Sequence, residues 1–284
     1  EGGSLIGEVQ DQKLTRKCVA YSYSKAEEIS ERVFNVNHGK DPNEVECINP
    51  DELQEEFDTK WPIFSDFDSL VPDYGLSKIV LMGLIFKEEG IAKDKSGDIC
   101  KIEDLSTIPR DDFEEITRCL ASGIPFVGTY CTGKRRGALR YCQIYKSPCR
   151  LRGFGKRKSP SGSQASRKSK SPSRSKSSRK SKSRSRSQRR KKYYGHAVVI
   201  IGAGMKFGRR FFYFLSSWSK KFCARRNKWG QIVRGGIGKI RASDLTKNLV
   251  KISQPHMTVK ISRIVSKGDW RHKVHHILLN SIIC

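Results

Sequence analysis

The sequence predicts an α+β fold with a helical N-terminal lobe and a sheet-rich C-terminal lobe. Three observations carry that expectation. Helical spacing of apolar residues dominates the first 120 residues, and β-branched and aromatic runs dominate from 126 onward. One basic, nearly apolar-free tract divides the second group.

Residues 18–36 read as a helix because Val19, Tyr23, Ala26, Ser30 and Val33 recur at helical spacing and build one buried face. Glu27, Glu28, Glu31 and Arg32 are expected mainly off that face. Asn49-Pro50 opens a short acidic helix over 49–57, since proline fits a first turn. A third helix is expected over 76–90, stopped by Gly90. A fourth covers 111–121, with Asp111 or Asp112 as cap and Gly123-Ile124-Pro125 as exit. Strands are expected over 126–130, 141–145, 197–201, 211–215 and 237–240. The lobes are therefore placed at 1–120 and 121–254.

Bulk properties bound the function. A chain of 284 residues with 36% hydrophobic composition can fill one sizeable domain, or two lobes sharing a cleft. The uncharged apolar stretches Ile79 to Phe86 and Ala197 to Met205 are too short to span a bilayer, so no membrane association is expected. Residue 1 is Glu, which fits a processed or truncated chain. Of the net charge of +27, residues 156–192 contribute +17, from 17 Lys or Arg and no acid, among 14 Ser. That tract cannot offset its ordering entropy and is expected to be disordered and looped out between two strands. It reads as a solvated insertion, as a phosphorylatable segment contacting RNA or RS-domain proteins, or as a nuclear-import signal at Gln188 to Lys192.

The nine cysteines form no C-x-x-C pair, which argues against a zinc cluster. His272, His275 and His276 lie close together but lack a fourth ligand, so no metal site is expected there. Gly202-x-Gly204 lacks the following helix that a nucleotide loop needs. No cofactor is expected.

Two distant segments carry the chemistry. Cys18 stands where a helix begins, so the helix N-terminus and neighbouring Arg16 and Lys17 favour a thiolate. His196 opens a strand and can pair with it as an imidazole base. Gln12, six residues before the cysteine, can donate its side-chain amide to a developing oxyanion. Cys18 and His196 are 178 positions apart, or 141 without the 37-residue basic tract.

These segments resemble the papain-like cysteine proteases over most of residues 5–245. The resemblance rests on Val9-x-Asp11-Gln12 before Cys18-x-Ala20-Tyr21-Ser22, and on Gly195-His196-Ala197-Val198 through Gly202-Ala203-Gly204. It continues through Phe211 to Trp218, then Trp229-Gly230 and Gly235 to Ile240, in the family's order. It implies a two-lobed papain-like fold, with residues 1–155 and 193–254 forming the peptidase domain, 156–192 inserted, and 255–284 a tail. It implies thiol-dependent peptide hydrolysis by a monomer acting on peptide or protein substrates. Cys18 would be the nucleophile, His196 the general base and then acid, and Gln12 part of the oxyanion hole. The family's histidine-orienting Asn is Ser216 here, and Trp218 would shield that bond. The shorter Ser216 side chain is expected to need a bridging water to reach the ring.

Other departures are Val19 for an aromatic residue, Thr15 for a cysteine, and Lys13 and Arg16 for glycines. The glycine bed expected between Phe57 and Tyr74 is missing, and the two usual helical-lobe disulfides are not expected. The alternative reading is a catalytically inactive homologue that binds partners, with RNA or RS-domain contacts through 156–192. The resembled family points to vacuole, lysosome or the extracellular space, and the basic tract to nucleus or cytosol.

Overall fold

The structure is a computed structural model describing residues 5–13, 15–62, 72–132, 143–146, 194–252 and 255–256. The basic insertion 156–192, the region of the expected glycine bed between 63 and 71, and nearly all of the tail 255–284 lie outside the described residues.

Helix α1, Cys18–Asn37, buries Val19, Ala20, Tyr23, Ala26 and Ile29. Helix α2, Pro50–Lys60, begins at Asn49, whose Oδ1 accepts the Asp51 N–H at 2.9 Å. Helix α3, Pro72–Glu88, packs against α1 and α2. Short strands β1 (Ile91–Ala92), β2 (Ile99–Ile102) and β3 (Leu105–Pro109) follow. Helix α4, Phe113–Ala121, is capped by Asp112, whose Oδ1 accepts the Glu115 N–H at 3.3 Å.

The remaining strands are β4 (Phe126–Thr132), β5 (Ile144–Tyr145), β6 (Tyr194–Lys206), β7 (Arg209–Leu215) and β8 (Arg225–Arg226). They continue with β9 (Ile232–Arg234), β10 (Ile237–Arg241), β11 (Asn248–Ile252) and β12 (Pro255–His256). Seven strands form one sheet in the order β3-β11-β4-β6-β7-β10-β5. Its ladders are antiparallel except β10 with β5, which is parallel.

The period of two along a strand divides the core. Ala197 and Val199 of β6 join α1, α2 and α3 in one apolar cluster. Val198 and Ile200, their immediate neighbours, join Ile116 and Cys119 of α4 in the other. The fold is α+β as expected, but the lobe boundary at 120 moves. Ile108 and α4 belong to the sheet-side cluster, because β3 pairs along β11 at the sheet edge and carries α4 with it.

A second correction concerns α1. Glu27 and Glu28, expected off the buried face, are themselves buried, 0% and 4% exposed. α2, α3, β4 and β6 pack against α1, so Glu27 and Glu28 are enclosed. Glu28 accepts from Lys25 Nζ at 2.6 Å and Arg32 Nε at 3.0 Å, and Lys93 Nζ bonds Glu31 at 2.7 Å. Burial, with Glu31 adding a like charge, pushes the Glu27 carboxyl up to about 8.

Candidate active site

The first turn of α1 brings Cys18 to the start of β6. Lys17 ends the loop before the helix without a side-chain cap, and Ser22 Oγ donates to Cys18 O at 2.8 Å. Across the lobe junction, the Ala197 N–H donates to Cys18 Sγ at 3.5 Å. Two covalent bonds separate Ala197 N from His196 Cα, so the sulfur lies within about 6 Å of that carbon. The pairing of β4 with β6 fixes His196 opposite Tyr130. The Tyr130 ring meets the imidazole edge-on at 5.7 Å.

The imidazole is held on two further sides. His196 Nε2 lies 3.1 Å from Ser216 Oγ, within the buried region. The expected water bridge is therefore unnecessary. The hydroxyl reaches directly because Ser216 is pinned just beyond β7 by its N–H donating to Gly236 O at 2.9 Å. Gly236 is required there: its φ is +81°, and a Cβ would lie 2.5 Å from Val9 Cγ1. The Trp218 indole stacks on the imidazole with centroids 3.9 Å apart and planes 17° from parallel.

Gln12 is buried beside this group, but its amide is engaged. Its Nε2 donates to Thr15 O at 2.8 Å, and its Oε1 accepts from Ser217 Oγ. Its backbone N–H donates to Ser217 O at 2.8 Å. An amide nitrogen has two hydrogens, so one bond to Thr15 leaves the second for a ligand.

The expectation that Lys17 supports a thiolate is corrected. Its ammonium turns outward to Asp51 Oδ1 at 2.8 Å, and that bond, opposed in part by burial, raises its pKa. Lys78 of α3, which lies over the Phe57 ring at 4.8 Å, is a cation that pulls the thiol down. Sequence reasoning missed Lys78, although it is the only cation between Pro72 and Phe86. Burial pushes the Cys18 thiol up, against the opposing pull of the Ala197 N–H, Lys78 and the helix N–H groups. Cys47, Cys100, Cys119 and Cys223 are also free thiols, with burial the leading upward push on each.

A thiol, an imidazole, a hydroxyl on one ring nitrogen and a covering indole form the kind of grouping that thiol-dependent acyl transfer uses.

No protein-family model matches the chain, and no curated protein matches it in sequence. Among solved structures, proCathepsin B S9 from Trypanosoma congolense is similar at 14% identity and a TM-score of 0.48, over 89% of this chain and 73% of that one. A cysteine protease from Carica candamarcensis in complex with E-64 is similar at 14% identity and a TM-score of 0.48, over 89% of this chain and 95% of that one. The digestive procathepsin L2 proteinase from Tenebrio molitor larval midgut aligns at 12% identity and a TM-score of 0.51, over 89% of this chain.

The fold is papain-like. The chain spans 65% of the length of the procathepsin L2 proteinase. In the papain-like fold of this chain, Cys18 heads the long helix of one lobe, His196 comes from the sheet of the other, and Ser216 and Trp218 come from the segment just beyond β7.

Proposed function

We propose that this protein is a cysteine-type peptidase in which Cys18 is the nucleophile and His196 the general base and acid. The observation that carries the reading is the 3.5 Å contact from the Ala197 N–H to Cys18 Sγ, which seats the thiol beside the residue adjoining His196.

With its proton on Nε2, the imidazole donates to Ser216 Oγ and leaves Nδ1 to take the thiol proton. Burial pushes the thiol up, so the reaction is written from a thiol whose proton His196 takes. Proton transfer accompanies attack: sulfur bonds to the carbonyl carbon, the π pair moves to oxygen, and Nδ1 holds the proton. Collapse expels the amine, which takes that proton and leaves a thioester on Cys18. Water then gives its proton to Nδ1 and its oxygen to the acyl carbon, and the carboxylic acid leaves as the thiol re-forms. The Cys18 backbone N–H and the free hydrogen of Gln12 Nε2 serve the oxyanion. Substrates are peptides or proteins, and no step calls for a cofactor.

A second reading is a noncatalytic binding protein on the same scaffold. It is favoured by the engagement of the Gln12 amide with Thr15 O and by the upward push on the thiol. Its RNA or RS-domain contacts would run through 156–192.

An irreversible epoxide inhibitor separates the two. The peptidase reading expects covalent labelling of the full chain at a single sulfur, abolished by Cys18→Ala. A cooperatively folded chain that takes no label would overturn it.

A further inference from the structure

The peptide chain that leaves Trp218 enters a cationic hairpin. Residues 219–236 hold six Lys or Arg and no Asp or Glu. Among the described residues, Lys221, Lys228 and Arg234 pair with no carboxylate, whereas Lys220 bonds Glu8 at 3.2 Å.

The hairpin tip is built rather than loose. Asn227 Oδ1 accepts the N–H groups of Trp229 at 3.0 Å and Gln231 at 2.9 Å, and Arg226 Nη1 donates to Gly230 O at 2.6 Å. This turn presents Trp229 with 73% of its surface exposed and Lys228 Nζ 4.5 Å from its ring centre. A large indole held in water by an ordered turn, among unpaired cations, marks a recognition surface.

At the base of the hairpin is a cavity of about 370 Å³, lined by Ile201, Tyr213, Cys223, Arg234, Ile237 and Lys239 among others. Arg234 and Lys239 are its cations, and Ile201 and Ile237 are apolar. The indole stacked on His196 belongs to Trp218, so the surface begins at the next residue. On the helical side, Lys78 acts on the Cys18 sulfur.

We propose that this hairpin and cavity dock an acidic polypeptide segment, with a carboxylate side chain entering between Arg234 and Lys239 and an apolar neighbour packing on Trp229. Acidic proteins are then the substrate class of the peptidase described above, and in that respect the inference rests on that reading. Nucleic acid fits the surface less well. Lys228 already lies over the Trp229 ring, which leaves less of it for stacking a base.

The test uses the full chain carrying Cys18→Ala and a fluorescent twelve-residue peptide rich in Glu and Phe, read by anisotropy. One variant combines Trp229→Ala, Arg234→Gln and Lys239→Gln. The control combines Phe207→Ala, Lys206→Gln and Arg209→Gln at the β6–β7 turn, another basic hairpin with an exposed aromatic. Both remove two cations and one aromatic ring. The expected result is about tenfold weaker binding in the first and less than about twofold in the control. A surface-only pair, Lys228→Glu with Arg234→Glu, is expected to weaken binding likewise with an unchanged melting temperature.

Equal losses in variant and control would reduce the effect to bulk charge and overturn the proposal, as would retained affinity in either hairpin variant. Tighter binding of a single-stranded RNA of equal charge, lost only in the hairpin variants, would overturn it in favour of nucleic acid. Because this assay needs no turnover, peptide binding without epoxide labelling of the unmutated chain would sink the peptidase reading alone. Labelling with no hairpin-dependent binding would sink the docking surface alone.

Discussion

Gln12 and Ser217 hold each other twice, through the Gln12 N–H to Ser217 O at 2.8 Å and the Ser217 hydroxyl to Gln12 Oε1. These bonds tie the loop before the Cys18 helix to the segment that carries Ser216 and Trp218. Ser217→Ala leaves the buried Gln12 Oε1 without that donor. Stability is expected to fall by about 1–2 kcal/mol in urea unfolding, with a lower kcat as the carboxamide loosens. An unchanged midpoint and rate would show the paired bonds to be incidental.

Ser216→Ala removes the hydroxyl 3.1 Å from His196 Nε2 while the Trp218 stack remains. The ring loses its tautomer and tilt, so kcat is expected to fall about tenfold or more with KM little changed. Steady-state kinetics on a fluorogenic peptide checks this. A change confined to KM would assign Ser216 to substrate binding.

The Cys18 thiol is pushed up by burial and pulled down by Lys78. Its alkylation rate by iodoacetamide should therefore rise with pH through and above the ordinary thiol range. Lys78→Met should move that rise to still higher pH, because the opposing cation is gone. A rate plateau already present at pH 6 in the unmutated chain would instead reveal a resident thiolate.

Glu27 titrates at about 8 in the fold. The sign follows from proton counting. Above the ordinary carboxylate pKa the unfolded chain has lost this proton while the folded chain keeps it, so stability declines as pH rises from about 4.5 towards 8. It levels off above that value. Glu27→Gln should flatten the decline and raise the melting temperature at pH 9, where the native carboxylate is charged in a buried site. Its Oε2 has no hydrogen-bond partner among the described residues. Parallel melting curves for both proteins between pH 5 and 9 would contradict the shift.

The sequence made the starts of α1, α2 and α4 readable because their signals are local, whereas α3 begins at Pro72, four residues before the expected 76. Asn49-Pro50 opens α2 as expected, Asp112, one of the two expected candidates, caps α4, and the cysteine at the head of α1 follows from periodicity. The strands β2, β3 and β11 escaped notice. Ile99 to Ile102 and Leu105 to Pro109 are short and carry Lys or Pro, and only pairing with distant partners makes them strands. The burial of Glu27 and Glu28 was hidden for a similar reason, since their partners include Lys93, which is remote in the chain. At the site, the residue types pointed to Cys18, His196 and Gln12, and the resemblance to the papain-like proteases added Ser216 and Trp218. The outward turn of Lys17 and the approach of Lys78 depend on helix packing that periodicity does not encode.

The ladder between β4 and β6 pairs Thr132 with Tyr194, Cys131 with Gly195 and Tyr130 with His196. These rungs act as a clamp immediately ahead of the imidazole, so its location is set by the sheet and not by the peptide that arrives at residue 194. Position 193 is thus a natural graft point. Foreign sequence of other length or charge exchanged there is expected to leave His196 in register with Tyr130, which would make the scaffold a carrier whose cargo can change.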